Sequence, residues 1–523
     1  MSMSRRLLPI GIQSFRSIRE DGFYYVDKTP LIYKLVSQGR HYFLSRPRRF
    51  GKSLLLDTMR ELFAGNEPLF RGLHIHDRWD WGVARPVVRL SFAGNYDQPG
   101  ALGQDLLAQL AIIERNAGLA PGPEGLGAPG RLRDLLDRLH HKTGREVAVL
   151  VDEYDKPILD VLGNADMAKA NRDLLRGFYS VIKDSAEHVQ FTFVTGISMF
   201  SKVSLFSGLN NLRNISLDPS FATICGYTDG DLEDVFAPEL PGLDRDEIRL
   251  WYNGYHWRGK ERVYNPFNIL LLFQTREFSP HWYETGTPTF LYEIMMARGA
   301  SPLELENRPI GESRLTQFDV GDIDPRALMF QAGYLTIAGE ERRGASTFYT
   351  LESPNLEVRA SFSEGLLAHL GRDEAEVSEQ GPALLERLEA NDFDGFRKQL
   401  HACLAGLPHQ WRDSGYLGRY ESHYAAMLYL TFRAVGADVR AEEASLQGRA
   451  DMVLLQAGQV FIMELKMAKD GQDAAAAMTE AMEQMRGRGY ADKYRGGDEP
   501  VHLISVVFGS RERNLLAVRA EPA

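Results

Sequence analysis

The sequence predicts an α/β fold in three parts. A parallel sheet with helices on both faces occupies residues 1–225. A mostly helical, aromatic-rich region occupies 226–373, and a second α/β domain occupies 374–523. Three observations carry this. Short apolar runs alternate with helical stripes through the first two hundred residues, the pattern of a parallel sheet with crossovers. From about Tyr227 helical segments alternate with aromatic loops such as Trp251-Tyr252-Asn253-Gly254-Tyr255. The stretch from about Tyr420 to Ser510 reads helix, strand, strand, helix, strand.

The elements follow in order. His41–Ser45 reads as a strand. Ser53–Phe63 places Leu54, Leu55, Met59, Leu62 and Phe63 on a helical stripe. Val87–Phe92 is a strand and Leu102–Ile113 a helix. Gly118–Gly130, rich in Gly and Pro, reads as an exposed loop, and Arg131–His140 as a short helix. Val147–Val151 is the continuous apolar run of a strand buried on both faces. Asn171–Asp184 is helical and Phe191–Thr195 is a strand. In the middle region the first clear strands are Tyr334–Ala338 and Thr347–Leu351, followed by a polar helical stretch over Glu374–Leu404.

Composition narrows the classes. With 523 residues, 44% hydrophobic and 25% charged, the chain supports about three domains and a core that needs no staples. Collagen, coiled-coil rods and disordered chains are excluded. Two cysteines, Cys225 and Cys403, make neither a disulfide framework nor a four-thiolate zinc site and suggest a cytoplasmic protein. No apolar run reaches the roughly 18–20 residues of a membrane helix, and the first twelve residues do not read as a secretory signal. The net charge is −11. Nucleic acid, if bound, is met through a local patch. Arg486, Arg488, Lys493, Arg495, Arg511 and Arg513 form such a run, which also reads as an ordinary solvated surface.

Arg46-Pro47-Arg48-Arg49-Phe50-Gly51-Lys52-Ser53 lies between a strand and an amphipathic helix, the setting of a phosphate-binding loop. Arg48, Arg49, Phe50, Gly51, Lys52 and Ser53 would form the cradle. Backbone N–H groups at a helix start attract anions; Lys52 would reach the β/γ-phosphates of ATP and Ser53 would place its hydroxyl on Mg²⁺. Arg46 stands where the usual pattern has its first glycine. A second piece agrees: the strand Val147–Val151 ends in Asp152 and Glu153. Asp152 would hold Mg²⁺ and Glu153 would orient or deprotonate water. Thr195, at the end of another strand, is the candidate for contact with the γ-phosphate. Arg48 and Arg49 would either stabilise transition-state charge or pair with acids such as Asp155.

A second constellation lies near the C-terminal end. Asp451 is followed after twelve residues by Glu464-Leu465-Lys466, with a turn at Gln456-Ala457-Gly458, so the segment reads as a β-hairpin. Residues two apart on a strand share a face, so Glu464 and Lys466 project together. Asp451, Glu464 and the Leu465 carbonyl offer oxygens to Mg²⁺, with Glu421 as a further acidic ligand. Lys466 would position or deprotonate water. Gln484, on a helix over Met478–Arg486, would point to the same place. An exposed Glu464–Lys466 ion pair of little energetic consequence is the plain alternative.

These segments carry a resemblance. The phosphate loop, Val151-Asp152-Glu153-Tyr154-Asp155, Gly208-Leu209-Asn210-Asn211, Tyr252-Asn253-Gly254-Tyr255, Tyr264-Asn265-Pro266-Phe267 and Glu284-Thr285-Gly286-Thr287-Pro288 resemble the predicted AAA-ATPase-like family of bacteria, in which arginine replaces the first glycine. The Asp451…Glu464-x-Lys466 arrangement is similar to the PD-(D/E)XK nuclease superfamily, with Ala450 where the motif has proline. The resemblance implies a P-loop NTPase sheet and a restriction-endonuclease-like domain. It implies metal ligation by Asp451 and Glu464, catalysis by Lys466 and support from Glu421 and Gln484.

The resulting expectation is an ATP-binding, ATP-hydrolysing chain whose nucleotide state gates a Mg²⁺-dependent DNA phosphodiesterase. It meets DNA through the C-terminal patch, has no membrane partner and admits a homo-oligomer. Two alternatives stand beside it. One is a binding or signalling module whose nuclease-like fold only holds nucleic acid or a protein. The other keeps the nuclease and gives the nucleotide, as bound ADP, a structural role. The pairs His74/His76 and His140/His141 have no zinc spacing, and the run Trp251–Trp257 reads as a packed lid or seam rather than a base-stacking platform.

Overall fold

The computed structural model describes residues 5–199, 209–285, 289–306, 308–316, 323–405, 420–445, 447–468, 473–512 and 514–523. The chain forms two compact units. The first comprises Met1–Trp282 and Pro309–Asn355, the second Tyr283–Arg308 and Leu356–Ala523. The region 226–373 is therefore shared between both units rather than forming a body of its own.

In the first unit β1 (His41–Ser45), β2 (Val87–Ser91), β3 (Val147–Asp152), β4 (Val189–Gly196) and β5 (Arg213–Asn214) form a sheet in the order β2-β3-β4-β1-β5, with every pair parallel. Strand β3 is buried at all six residues, which is why it reads as an unbroken apolar run. The helix Lys52–Phe63 starts from Gly51 at φ 88° and buries Leu55, Leu56, Met59, Leu62 and Phe63 against β2, β3 and β4. The order places β4 between the strand that leads into the phosphate loop and the strand that ends in Asp152, so three strand ends share one edge.

The helix expected at Arg131–His140 runs from Ala128 to Thr143. Pro129 lies in its first turn, where a missing N–H costs nothing, so a proline taken as loop punctuation is in fact a helix start. Likewise Asn164 caps a helix that begins at Ala165, ahead of the expected Asn171. A second, antiparallel sheet joins β6 (Ile310–Gly311), β7 (Thr336–Arg343) and β8 (Ser346–Glu352) in the order β6-β8-β7.

In the second unit the polar stretch splits into helices Glu374–Glu389 and Phe393–Ala405, with Asn391 at φ 55° between them. The helix Tyr420–Ala434 precedes β9 (Asp438–Ser445), β10 (Gly448–Gln456) and β11 (Gln459–Ala468). The helix Ala474–Gly487 then precedes β12 (Val501–Gly509) and β13 (Leu515–Pro522). The sheet order is β13-β12-β11-β10-β9, with β11 and β12 parallel and the other pairs antiparallel. The β10–β11 hairpin closes on Ala457 and Gly458, both at positive φ, the geometry of a tight two-residue turn. The outer strands β9 and β13 are absent from the sequence reading. They carry Arg440, Glu442, Glu443, Arg519 and Glu521, the polar decoration of sheet edges.

Candidate active sites

The first constellation gathers at the carboxyl edge of the parallel sheet. Ser45 and Gly196 are register partners on β1 and β4, and Ser91 and Asp152 on β2 and β3. Lys52 is buried, and its Nζ donates to the Arg46 and Pro47 carbonyls at 2.9 and 2.8 Å, which curls the loop around the ammonium. Burial pushes the Lys52 pKa down, and the charge of Asp152 pulls it back up. Asp152 is buried, with its Oδ1 accepting from Glu153 N–H at 3.1 Å. Glu153 sits at φ 53°, and its carboxyl is pushed up by burial first and by Asp152 second. Thr195 is fully buried, and its Oγ1 has no partner among the described residues.

The loop residues divide. Phe50 is turned inward between Tyr255 and Trp257, both edge-on, so only its backbone is open to a ligand. Arg48 and Arg49 are exposed. The Arg49 guanidinium lies over Phe267 at 4.9 Å. Asp155 does not pair with either arginine: its buried carboxylate accepts from Ile197 N–H, Ser198 N–H and the Ser198 hydroxyl. This latch fixes the turn after β4. Gly196 is obligatory there, because a Cβ would strike Asp155 and the Tyr154 ring.

Arg46 resolves the departure at the head of the loop. Its side chain is fully buried and points away from the cradle. It donates to the Ser45 and Ser216 carbonyls, each at 2.8 Å, and to Phe221 O at 3.3 Å, and it stacks on Trp257 at 4.1 Å. The arginine thus clamps the loop base to residues 216–222 and to the aromatic run, whose tail Tyr255 and Trp257 packs behind the loop. Sequence reasoning passed over this role. A charged residue in a position usually held by glycine was the available signal.

The second constellation is formed by β10, β11 and the helix Ala474–Gly487. Asp473 caps that helix, and Ala477 and Ala481 let it lie close on β11 and β12. Met482 and Met485 pack with Val453, Ile462 and Leu503, which places the helix on the face that Glu464 and Lys466 share. Gln484 then reaches both. Lys466 Nζ donates to Glu464 Oε1 at 3.0 Å and to Gln484 Oε1 at 2.9 Å, and Gln484 Nε2 donates to Glu464 Oε1. Asp451 lies one step beyond the Met452–Met463 pair, and its Oδ2 accepts from Leu465 N–H at 2.8 Å. Glu464 is 1% exposed, so its pairing with Lys466 is not the surface ion pair that the sequence also allowed. Burial raises the Glu464 pKa to about 7, with Asp451 adding to the rise and Lys466 opposing it.

Glu464 Oε2 is buried and has no partner among the described residues. An orphaned carboxylate oxygen beside a second carboxylate fits a hard divalent cation. No group of three or more His, Cys, Asp or Glu side chains is placed to hold a metal among the described residues. Among the described residues the side chains on offer to such a cation are thus two carboxylates, Asp451 and Glu464. The Glu421 side chain, Arg513, Gly208 and Gly286–Pro288 lie outside the described residues. In the basic run Arg486 pairs with Glu521, Lys493 with Glu443 and Arg495 with Asp492, so three of its six cations are met by the chain's own acids. Arg488 bonds Tyr490 OH at 3.3 Å, and its charge is felt at Glu464.

A parallel α/β unit carrying a phosphate-type loop and a mixed sheet carrying an Asp…Glu-x-Lys cluster define an ATPase-like chain with a nuclease-type domain. Comparison with known proteins agrees. Residues 9–206 match the predicted AAA-ATPase family, and residues 419–517 match the PD-(D/E)XK nuclease superfamily. An uncharacterized protein in the vnfD 5′ region of Azotobacter chroococcum mcd 1 is 51% identical over 521 residues, covering 99% of each chain. The chain belongs to this predicted AAA-ATPase family and carries a PD-(D/E)XK domain. No helix among the described residues is long and apolar enough to cross a membrane.

Proposed function

We propose that the chain binds and hydrolyses ATP in its first unit and cleaves DNA with Mg²⁺ in its second, and that the nucleotide state gates the cleavage. In the first unit the N–H groups of the loop and of the helix Lys52–Phe63 would cradle the phosphates. Lys52 would exchange its loop carbonyls for phosphate oxygens, and Ser53 and Asp152 would hold the cation. Glu153, a stronger base than an exposed carboxylate because burial raises its pKa, would take or orient the attacking water. The unspent Thr195 hydroxyl would meet the γ-phosphate.

In the second unit Asp451 and Glu464 would hold the cation, which when bound acidifies water and offsets charge on the phosphodiester. Lys466, steered by Gln484, would stand at the attacking water, and Arg488 would meet the backbone phosphate. The observation that carries this reading is the half-buried Lys466–Glu464–Gln484 triangle beside Asp451, its Glu464 fully buried with one carboxylate oxygen left unspent. The test is cleavage of plasmid, linear and single-stranded DNA and of RNA by the full chain with Mg²⁺, with and without ATP. DNA is expected to be cut, and Lys466→Ala to abolish cutting while retaining ATP binding. No cleavage under any nucleotide or metal contradicts the nuclease half and leaves a binding module.

A further inference from the structure

The proposed cation site is short of side-chain oxygens: two carboxylates, and no third acid, histidine or cysteine gathered with them among the described residues. The sheet supplies another oxygen. Ser505 is the lone polar residue in the apolar run Leu503–Phe508 of β12. It is fully buried, and its Oγ has no partner among the described residues. A buried hydroxyl ordinarily finds one, often on a nearby carbonyl. In the parallel β11–β12 ladder Ser505 stands directly opposite Glu464. Directly opposed residues on adjacent strands project to the same face, so the Ser505 hydroxyl and the Glu464 carboxylate share one side of the sheet, beneath the helix Ala474–Gly487.

Two unspent oxygens, Glu464 Oε2 and Ser505 Oγ, therefore stand on neighbouring strands of one face. One is an acceptor only, and the other both donates and accepts. The serine side chain is two bonds shorter than that of glutamate, so its hydroxyl lies nearer the sheet than the carboxylate does. That offset suits a water between the hydroxyl and a cation on Oε2 better than direct ligation.

We propose that Ser505 is a positioning residue of the C-terminal metal site, its hydroxyl holding a water of the shell of a divalent cation bound by Asp451 and Glu464. The assignment rests on the reading of that cluster as a metal site. It explains why a serine interrupts an otherwise apolar strand at the one position opposite Glu464. Removing such an outer partner typically weakens metal binding about 10- to 100-fold.

The experiment titrates Mn²⁺ and Mg²⁺ into the nucleotide-free full chain by calorimetry, with thermal unfolding as the control for folding. Ser505→Ala is expected to weaken the ion at least about tenfold without lowering the unfolding temperature, because no made hydrogen bond is lost. Ser505→Cys, nearly the same size, is expected to weaken it too should alanine disturb packing. Ser505→Thr, which keeps the hydroxyl, is expected to restore it. Asp451→Asn, measured alongside, separates the two claims. If Asp451→Asn abolishes an ion that Ser505→Ala and Ser505→Cys still bind as the wild type does, the Ser505 assignment is overturned and the metal site stands. If Asp451→Asn binds ions as the wild type does, the metal site itself falls, and Ser505 with it.

Discussion

Replacing Arg46 by the glycine that phosphate loops usually carry is expected to damage this protein. The substitution leaves the Ser45 and Ser216 carbonyls, now served at 2.8 Å, without their donor, at about 1–3 kcal/mol each. The contact with Trp257 at 4.1 Å contributes about 2 kcal/mol in a desolvated site. The buried stem adds about 0.8 kcal/mol per methylene. One term runs the other way: burial lowers the Arg46 pKa from its ordinary value to about 10, a strain of about 3 kcal/mol that the variant no longer carries. The balance is a loss of about 5 kcal/mol, which for a unit of this size lowers the unfolding temperature by about 10 °C. Calorimetric unfolding with and without ATP measures it. Arg46→Lys, which keeps the charge without the planar fork, is expected to fall between. If Arg46→Gly unfolds within about 2 °C of the wild type and binds ATP normally, Arg46 is not the clamp described.

Other expectations follow from the same contacts. Gly196→Ala forces a methyl against Asp155 and Tyr154 and is expected to cost about 1–3 kcal/mol, read in urea unfolding; an unchanged midpoint contradicts the latch. Lys52→Ala removes a cation that burial disfavours but leaves the Arg46 and Pro47 carbonyls without their donor, so the two effects oppose each other and a modest loss of stability is expected. ATP affinity should fall about 10- to 100-fold for a lost charged hydrogen bond, measured by equilibrium binding. Glu464 gives a proton-linked signature. Its folded carboxyl keeps a proton up to about pH 7, against 4.5 ordinarily. Without metal, stability is therefore fullest at or below pH 4.5 and is lost as pH rises through 7. Metal binding must expel that proton, releasing about one proton per ion at pH 6 and nearly none at pH 8, by calorimetry in two buffers. Equal release at both values contradicts a protonated Glu464.

What the sequence made legible was what period and spacing encode. Strand β3 is buried on both faces and so reads as an unbroken apolar run, and Glu464 and Lys466 reveal their shared face by alternation. Strands β9 and β13 did not show because edge strands are polar by necessity, and β5 is only two residues long. Arg46 reads only as a departure because, Ser45 aside, its carbonyl partners lie 170 and more residues away, so a charge at a glycine position is the one local signal. The same holds for the Asp155–Ser198 latch and for Ser505, whose meaning depends on a parallel register that only the fold supplies. That 283–308 belongs to the second unit is likewise a tertiary fact with no local signal.

The claim that joins the two sites is that one governs the other. The rate of Mg²⁺-dependent DNA cleavage by the full chain, measured with ATP, with ADP and with neither, in wild type and in Lys52→Ala, addresses it most directly. The account predicts a rate that changes with nucleotide in the wild type and loses that dependence in Lys52→Ala, with Lys466→Ala inactive throughout. A wild-type rate indifferent to nucleotide would contradict it.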